Sequence, residues 1–84
     1  MNEARLFYAL QRYYLGDISF ERVVQDAGIT LHELIDYVRE KDLRIILTDE
    51  DRVEGLKKLS KLMEKHRLEN AVKFAREAYK KAKA

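Results

Sequence analysis

The polar side chains best placed for recognition chemistry follow Gly28, in a segment with helical periodicity. Its apolar residues recur at the spacing of one buried helix face, which turns the remaining positions outward. The outward residues, which we predict to reach the base edges of DNA, are Thr30, His32, Glu33, Asp36 and Arg39. Carboxylates accept hydrogen bonds from cytosine, and arginine donates to guanine. Because this set is acidic and phosphates repel it, contact with a protein fits the same face about as well.

A second set of side chains, all of them basic, has the chemistry to hold phosphate groups. The predicted phosphate contacts are Arg12, Arg22, Lys41, Arg44, Lys73, Arg76 and Lys80. Basic residues that neutralise phosphates supply most of the sequence-independent affinity for nucleic acid. Lys73, Arg76 and Lys80 lie in the final predicted helix. A row of cations on such a helix either binds an anionic partner or forms an ordinary solvent-exposed face.

Catalytic and metal-binding chemistry has no candidate residues in this sequence. His32 and His66 are the only histidines and lie in different predicted elements, and there is no cysteine. The carboxylates form no catalytic pair, and no glycine-rich phosphate loop occurs. We therefore expect a binding protein that is not an enzyme and that uses neither a metal nor a cofactor.

The length of 84 residues predicts a single small domain, residues 1–84. Such a domain buries only about 60% of its unfolded surface, and the absence of cysteine removes disulfides and thiolate zinc sites as added stabilisation. We therefore expect a homodimer. Neither a signal peptide nor a run of about 20 apolar residues is evident, which predicts a cytoplasmic protein without membrane contact. The 38% content of charged residues, without cysteine or proline, is typical of thermophiles.

Charge and periodicity divide the chain into three parts. Residues 1–42, which we call the head, carry 5 basic and 8 acidic residues. Residues 43–47 form a short extended segment, and residues 48–84 form a basic helical tail. The half from residue 43 onward carries 12 basic and 7 acidic residues. The sequence therefore predicts an acidic head on a basic tail.

Three short helices are predicted in the head. They cover residues 3–15, 20–27 and 31–41, and Gly28 at the end of the second suits the left-handed conformation found there. Thr30 and Glu33 have the spacing of a capping box, which marks the start of the third helix. Two short helices joined through a glycine turn predict a helix-turn-helix within an all-α fold.

The helix-turn-helix half of the chain resembles a known group of small proteins. The resemblance covers about residues 7–47 and is carried by Tyr14-Leu15-Gly16-Asp17-Ile18-Ser19, Val23-Val24, Ala27-Gly28-Ile29-Thr30, Leu34, Val38 and Leu43-Arg44-Ile45. These residues are similar to those of short archaeal and bacterial helix-turn-helix proteins known as antitoxins, the partners of PIN-domain ribonuclease toxins. The resemblance implies a helix-turn-helix fold and a role as a toxin's partner.

The segment 43–47 is apolar and β-branched, which predicts either a strand or an extended packed segment. A lone strand needs a partner strand, and the same segment of a second chain would supply it. The first helix also has more aromatic residues than one buried face can hold, and tyrosine is favoured at interfaces. The predicted dimer or partner contacts are Tyr8, Tyr13, Leu43, Ile45 and Leu47.

The tail contains two apolar stripes with helical spacing. The first is Val53, Leu56, Leu59 and Met63, and the second is Leu68, Ala71, Val72, Ala75, Ala78, Tyr79 and Ala82. The five-residue step between the stripes turns the second one away from the first. This step predicts a break near residues 65–67 and a C-terminal helical hairpin. Because no glycine or proline enforces the break, one long bent helix is the alternative.

Two functions follow from these patterns. The first is a small helix-turn-helix transcriptional regulator of the antitoxin type, which binds double-stranded DNA as a homodimer. The alternative is a protein-interaction module, either toxin-binding or a helical adaptor, that has no nucleic-acid role and uses the same scaffold or the tail.

Overall fold

The computed structural model describes residues 1–83 and is all-helical over that range. Its four helices are α1 (Glu3–Tyr14), α2 (Phe20–Ala27), α3 (Leu31–Glu40) and α4 (Asp49–Lys83). Helix α1 contributes more core residues than any other helix, and both α2 and α4 pack against it. The buried core consists of Leu6, Phe7, Ala9, Leu10, Tyr13, Tyr14, Val23, Ala27, Leu34, Tyr37, Val38, Leu43 and Leu59.

The first two helices begin and end at residues whose chemistry suits helix termini. Helix α1 follows Asn2, whose side chain accepts a hydrogen bond from the Arg5 amide. The chain turns after α1 at Gly16, where φ is 85°. Ser19 caps α2 by accepting a hydrogen bond from the Arg22 amide at 3.1 Å. The predicted boundaries of these two helices are confirmed to within one residue.

A sharp corner separates α2 from α3. Gly28 ends α2 with φ 66° and ψ 36°, the left-handed conformation in which a side chain would be strained. The Thr30 hydroxyl accepts a hydrogen bond from the Glu33 amide at 3.1 Å, and the Glu33 carboxylate accepts one from the Thr30 amide at 3.0 Å. The predicted capping box is therefore present, and α3 begins as a separate helix immediately after the corner.

The connection from α3 to α4 is irregular and packed, and residues 43–47 form no strand. Tyr14 Oη donates to the Arg44 carbonyl at 2.7 Å, and the Ile46 amide donates to Tyr13 Oη at 2.8 Å. Two backbone groups of this segment are thus already hydrogen-bonded to tyrosines of α1, and a partner strand would need such groups for pairing. The strand prediction for this segment is wrong, and the alternative of a packed segment describes it.

Helix α4 is one uninterrupted helix, so the predicted break near residues 65–67 and the helical hairpin are wrong. Residues 56–83 contain neither glycine nor proline and are rich in alanine, lysine, glutamate and leucine, which favour helix. The two stripes belong to one helix and face different directions. At 3.6 residues per turn, Leu59 and Ala75 lie about 160° apart around the axis. Leu59 is buried against the head, whereas residues 67–82 are all exposed.

The first half of α4 is anchored to the head at close range. A Cβ atom built at Gly55 would lie 2.6 Å from both Cδ1 and Cζ of the Tyr14 ring, so the two helices approach closely only because residue 55 has no side chain. Lys58 Nζ donates to the Asp42 carboxylate at 2.6 Å and to the Asp42 carbonyl at 2.9 Å. These contacts fix the direction in which α4 leaves the head.

The second half of α4 makes the molecule elongated. The radius of gyration is 15.4 Å, whereas a compact domain of this length has about 12 Å. The longest dimension is 53 Å, and a helix of 35 residues is about 52 Å long at 1.5 Å per residue. The long axis of the molecule is therefore α4 itself. We call residues 67–82 the distal segment.

Candidate interaction surfaces

The outer face of α3 is exposed and acidic. The structure places His32, Glu33, Asp36 and Arg39 on this face, with Thr30 at its start, and α4 packs on α1 and not on α3 in the described residues. Two of these residues are engaged with each other, since Thr30 and Glu33 form the capping box. His32 Nε2 lies 3.4 Å from an Asp36 carboxylate oxygen. The predicted base-edge residues thus share a surface on which carboxylates dominate.

Two of the predicted phosphate contacts meet in a groove between α1 and α2. Arg22 Nε lies 2.9 Å from one Asp26 carboxylate oxygen, and Arg12 Nη1 lies 3.8 Å from the other. Arg5, which the sequence analysis did not select, donates from Nη2 to the Asp26 carbonyl at 2.7 Å. The groove has a volume of about 590 Å³, and we call it the arginine groove. It is lined by Ala4, Arg5, Tyr8, Arg12, Arg22, Gln25 and Asp26.

The remaining predicted phosphate contacts lie on other elements. Lys41 Nζ lies 5.9 Å from the centre of the Tyr37 ring, and Arg44 Nη1 lies 3.5 Å from an Asp51 carboxylate oxygen. Lys73, Arg76 and Lys80 are exposed on the distal segment. The seven residues therefore do not form one surface, because the head groove, the connection to α4 and the distal segment each carry some of them.

The predicted partner contacts are partly exposed and partly buried. Tyr8, Ile45 and Leu47 are exposed and remain available to a partner. Tyr13 and Leu43 are buried in the core, and the Tyr13 ring packs edge-on against Phe20 with ring centres 5.4 Å apart. The chain's own core therefore takes up both side chains, and Tyr8, Ile45 and Leu47 are the predicted contacts that lie at the surface.

The distal segment carries the second apolar stripe on its exposed surface. Leu68 and Val72 are 56% and 52% exposed, and Phe74, which lies beside the stripe, is 73% exposed. Positions 68, 71, 75, 78 and 82 have the alternating three- and four-residue spacing of a helix seam that packs on another helix or groove. The stripe predicted from the sequence therefore lies on the surface, because α4 does not fold back as a hairpin.

Basic residues outnumber acidic residues beside the stripe. By helical geometry, Arg67 and Lys81 lie along one edge of the stripe, and Glu69 and Arg76 lie along the other. The distal segment contains five basic and two acidic residues. An apolar strip with one cationic edge is the electrostatic complement of an apolar groove with one acidic rim.

The shifted pKa values in this protein belong to structural contacts. Burial raises the pKa of Tyr14 to about 12 and also raises the pKa of Tyr37. A backbone hydrogen bond from Thr30 lowers the pKa of Glu33, and the Lys58 ammonium lowers that of Asp42. Each of these groups caps a helix, fills the core or holds α4 in place, so none of them marks a reaction centre.

Residues 1–83 contain neither a cluster of metal-ligating side chains nor a helix that could span a membrane. Over that range, no three histidine, cysteine or acidic side chains cluster as a metal site would require. His66 instead packs edge-on against Phe7, with ring centres 5.4 Å apart, and its Nε2 lies 3.1 Å from Asn70 Nδ2. None of the described helices is apolar over a length that would cross a bilayer.

Comparison with models of protein families, with curated proteins and with solved structures finds no match to this chain. Its function is therefore inferred from the three surfaces described above: the outer face of α3, the arginine groove and the distal segment.

Proposed function

We propose that this chain is a binding protein, and not an enzyme, that docks the distal segment of α4 in an apolar groove of another protein. The observation that carries the proposal is the exposure of Leu68, Val72 and Phe74 on a helix that extends beyond the head. Amphipathic helices with apolar residues at i, i+3, i+4 and i+7 bind in hydrophobic grooves in this way. The head then serves to anchor and orient the helix.

The exposed area supports an intermolecular contact of ordinary size. The chain exposes 6331 Å², whereas a compact monomer of 10.0 kDa exposes about 5,200 Å². The excess of about 1,100 Å² exceeds the roughly 800 Å² that one partner contributes to a standard protein interface. The distal segment, whose residues are all exposed, contributes to this excess.

The charges beside the stripe indicate what the partner's groove looks like. Arg67 and Lys81 along one edge favour a groove with carboxylates on the facing rim, whereas Glu69 and Arg76 offset each other along the other edge. A second copy of this chain is a poorer occupant, because pairing two distal segments brings the basic edges of both helices together. We therefore assign the groove to a different, acidic protein.

The helix-turn-helix regulator predicted from the sequence is the alternative function. Its support is the corner at Gly28 and the uncovered outer face of α3. The acidity of that face weighs against it, since affinity for duplex DNA depends on cations that neutralise phosphates.

Site-specific photo-crosslinking in the native host tests the docking proposal. A photoreactive phenylalanine analogue replaces Val72, on the stripe, or Asn70, on the other side of the same helix. We expect one protein to be crosslinked from position 72 and not from position 70. That protein, once purified, should bind the chain and lose at least about tenfold in affinity for the variant Leu68→Gln/Val72→Gln, which keeps the net charge unchanged.

A matched variant separates docking from nucleic-acid binding. Lys73→Gln removes one charge from the side of α4 away from the stripe and leaves the apolar residues in place. Under the docking proposal this variant keeps its protein partner. The proposal is refuted if positions 70 and 72 crosslink equally, if the crosslinked protein is a second copy of this chain, or if only salt-sensitive duplex binding is found and this variant loses it.

A further inference from the structure

We propose that the arginine groove between α1 and α2 binds the phosphate backbone of single-stranded nucleic acid, with Tyr8 stacking against a base. This site lies on the head and does not depend on docking by α4. Arg5, Tyr8 and Arg12 are spaced i, i+3 and i+7, so they follow one face of α1. Arg22 and Asp26, spaced i, i+4, face them from α2.

The groove keeps an excess of positive charge and of hydrogen-bond donors. The guanidinium groups of Arg12 and Arg22 lie beside the Asp26 carboxylate and that of Arg5 binds the Asp26 carbonyl, so the lining of the groove carries three positive charges and one negative charge. Each guanidinium has five N–H donors, and Arg22 uses Nε while Arg5 uses Nη2 for Asp26. Donors on all three arginines therefore remain for a second anion. The planar guanidinium matches two oxygens of one phosphate, which a lysine ammonium does not.

Asp26 acts as a positioning residue for this site. Its carboxylate holds Arg22 at 2.9 Å and attracts Arg12 at 3.8 Å, while its carbonyl oxygen holds Arg5 at 2.7 Å. Side chains that are already held in place lose less conformational entropy when a ligand binds. The arginines of the two helices are thereby brought to one groove before any anion arrives.

Tyr8 distinguishes a nucleic acid from an acidic peptide. Its side chain is 64% exposed in the lining of the groove, which also contains the three arginines. An exposed ring beside cations is the arrangement on which bases of a single strand stack, whereas bases in a duplex are already stacked on each other.

Fluorescence anisotropy with a short labelled oligodeoxythymidine and the full-length chain tests this site. Arg12→Gln/Arg22→Gln should weaken binding at least about tenfold at low salt and should reduce the slope of log K against log salt by about 1.4, since each phosphate contact on a single strand contributes about 0.7. Arg39→Gln/Arg44→Gln removes the same charge outside the groove and should change the affinity by less than about threefold.

Arg12 and Arg22 link α1 to α2 through Asp26, so replacing them weakens the fold as well as the site. Variants of Tyr8 test the site without breaking this link. Tyr8→Ala changes an exposed side chain and should weaken binding about tenfold, while Tyr8→Phe keeps the ring and should retain it. The proposal is overturned if both arginine pairs lose affinity equally, if Tyr8→Ala binds like the wild type, or if a duplex or an oligoglutamate peptide binds the groove more tightly than the single strand.

Discussion

The crossing of α4 over α1 leads to a sharp prediction about Gly55. In an exposed helix, replacing glycine by alanine raises stability by about 1 kcal/mol, because glycine loses more backbone entropy on folding. At position 55 the new Cβ would lie 2.6 Å from Cδ1 and Cζ of the Tyr14 ring and closer still to Cε1, whereas carbon atoms in contact prefer 3.5–4.0 Å. The ring or the helix must therefore move by at least about 1 Å.

The Tyr14 ring has little room for such a movement. It is fully buried, its hydroxyl donates to the Arg44 carbonyl at 2.7 Å, and the Tyr13 ring lies 5.2 Å away between ring centres. Overpacking of a filled core costs about 1–3 kcal/mol, and a contact with three ring atoms places this site near the upper end. After the gain of about 1 kcal/mol in helix propensity, Gly55→Ala should lower the free energy of unfolding by about 2 kcal/mol.

Thermal unfolding measured by circular dichroism checks this value. For a domain of 60–100 residues, 1 kcal/mol corresponds to about 4–8 °C, so Tm should fall by about 8–16 °C. In a Tyr14→Leu background the clash is gone, and Gly55→Ala should then raise Tm relative to Tyr14→Leu alone. Ser60→Ala, at an exposed position of the same helix, is the control and should change Tm only slightly. A higher Tm for Gly55→Ala in the wild-type background would refute the reasoning.

Three further predictions concern local contacts. The pKa of Tyr14 is raised from its ordinary value of 10.0 to about 12, so the folded state disfavours the ionised phenol, and stability should be complete below pH 10 and decline between pH 10 and 12. Tyr14→Phe should reduce this alkaline decline, and absorbance of ionised tyrosine during a pH titration reports it; an unchanged decline would contradict the assignment. Thr30→Ala removes the cap of α3 and should cost about 1 kcal/mol in urea unfolding, whereas Thr30→Ser should cost much less. Because Lys58 lowers the pKa of Asp42, the stability from this pair is present above the ordinary carboxyl pKa near 4 and is lost as the pH falls through the lower folded value. Asp42→Asn should therefore flatten the acid limb of the stability curve, and an equally steep limb would exclude this pair as its source.

The head could be predicted from the sequence because its signals are local. A glycine in the left-handed region and a capping box each involve residues within one turn of chain, and both Gly28 and the pair Thr30 and Glu33 behave as expected. The same locality explains why the boundaries of α1 and α2 were close to correct.

The course of the tail could not be predicted in the same way. An apolar stripe such as the one through Leu68 and Val72 looks the same in a sequence whether its own chain or another chain covers it. The five-residue step after Met63 is compatible with a break and with a straight helix whose two halves face different partners. Local helix propensity, which is high throughout residues 56–83, favoured the straight helix.

The arginine groove and the segment 43–47 depend on packing between distant residues. Arg12 and Arg22 were selected from their charge, but their common neighbour Asp26 became evident only once α2 was placed against α1. Likewise, nothing near Ile46 in the sequence indicates that its amide donates to Tyr13, 33 residues earlier. Such contacts follow from the angle and register of helix packing, which periodicity alone does not determine.

Because α4 is continuous, the number of residues between its two halves sets both the distance and the angle between the head and the stripe. Each residue of a helix adds about 1.5 Å and about 100° of rotation. Inserting one residue in the exposed turn after His66 would leave the core and the stripe chemically intact but turn the stripe about a quarter revolution relative to the head. Inserting seven residues would restore the original direction to within about 20° and move the stripe outward by about 10 Å. The number of residues between the two halves of α4 therefore determines the direction in which the stripe faces relative to the head. Under the docking proposal, that direction determines how the head is oriented when the stripe binds the partner's groove.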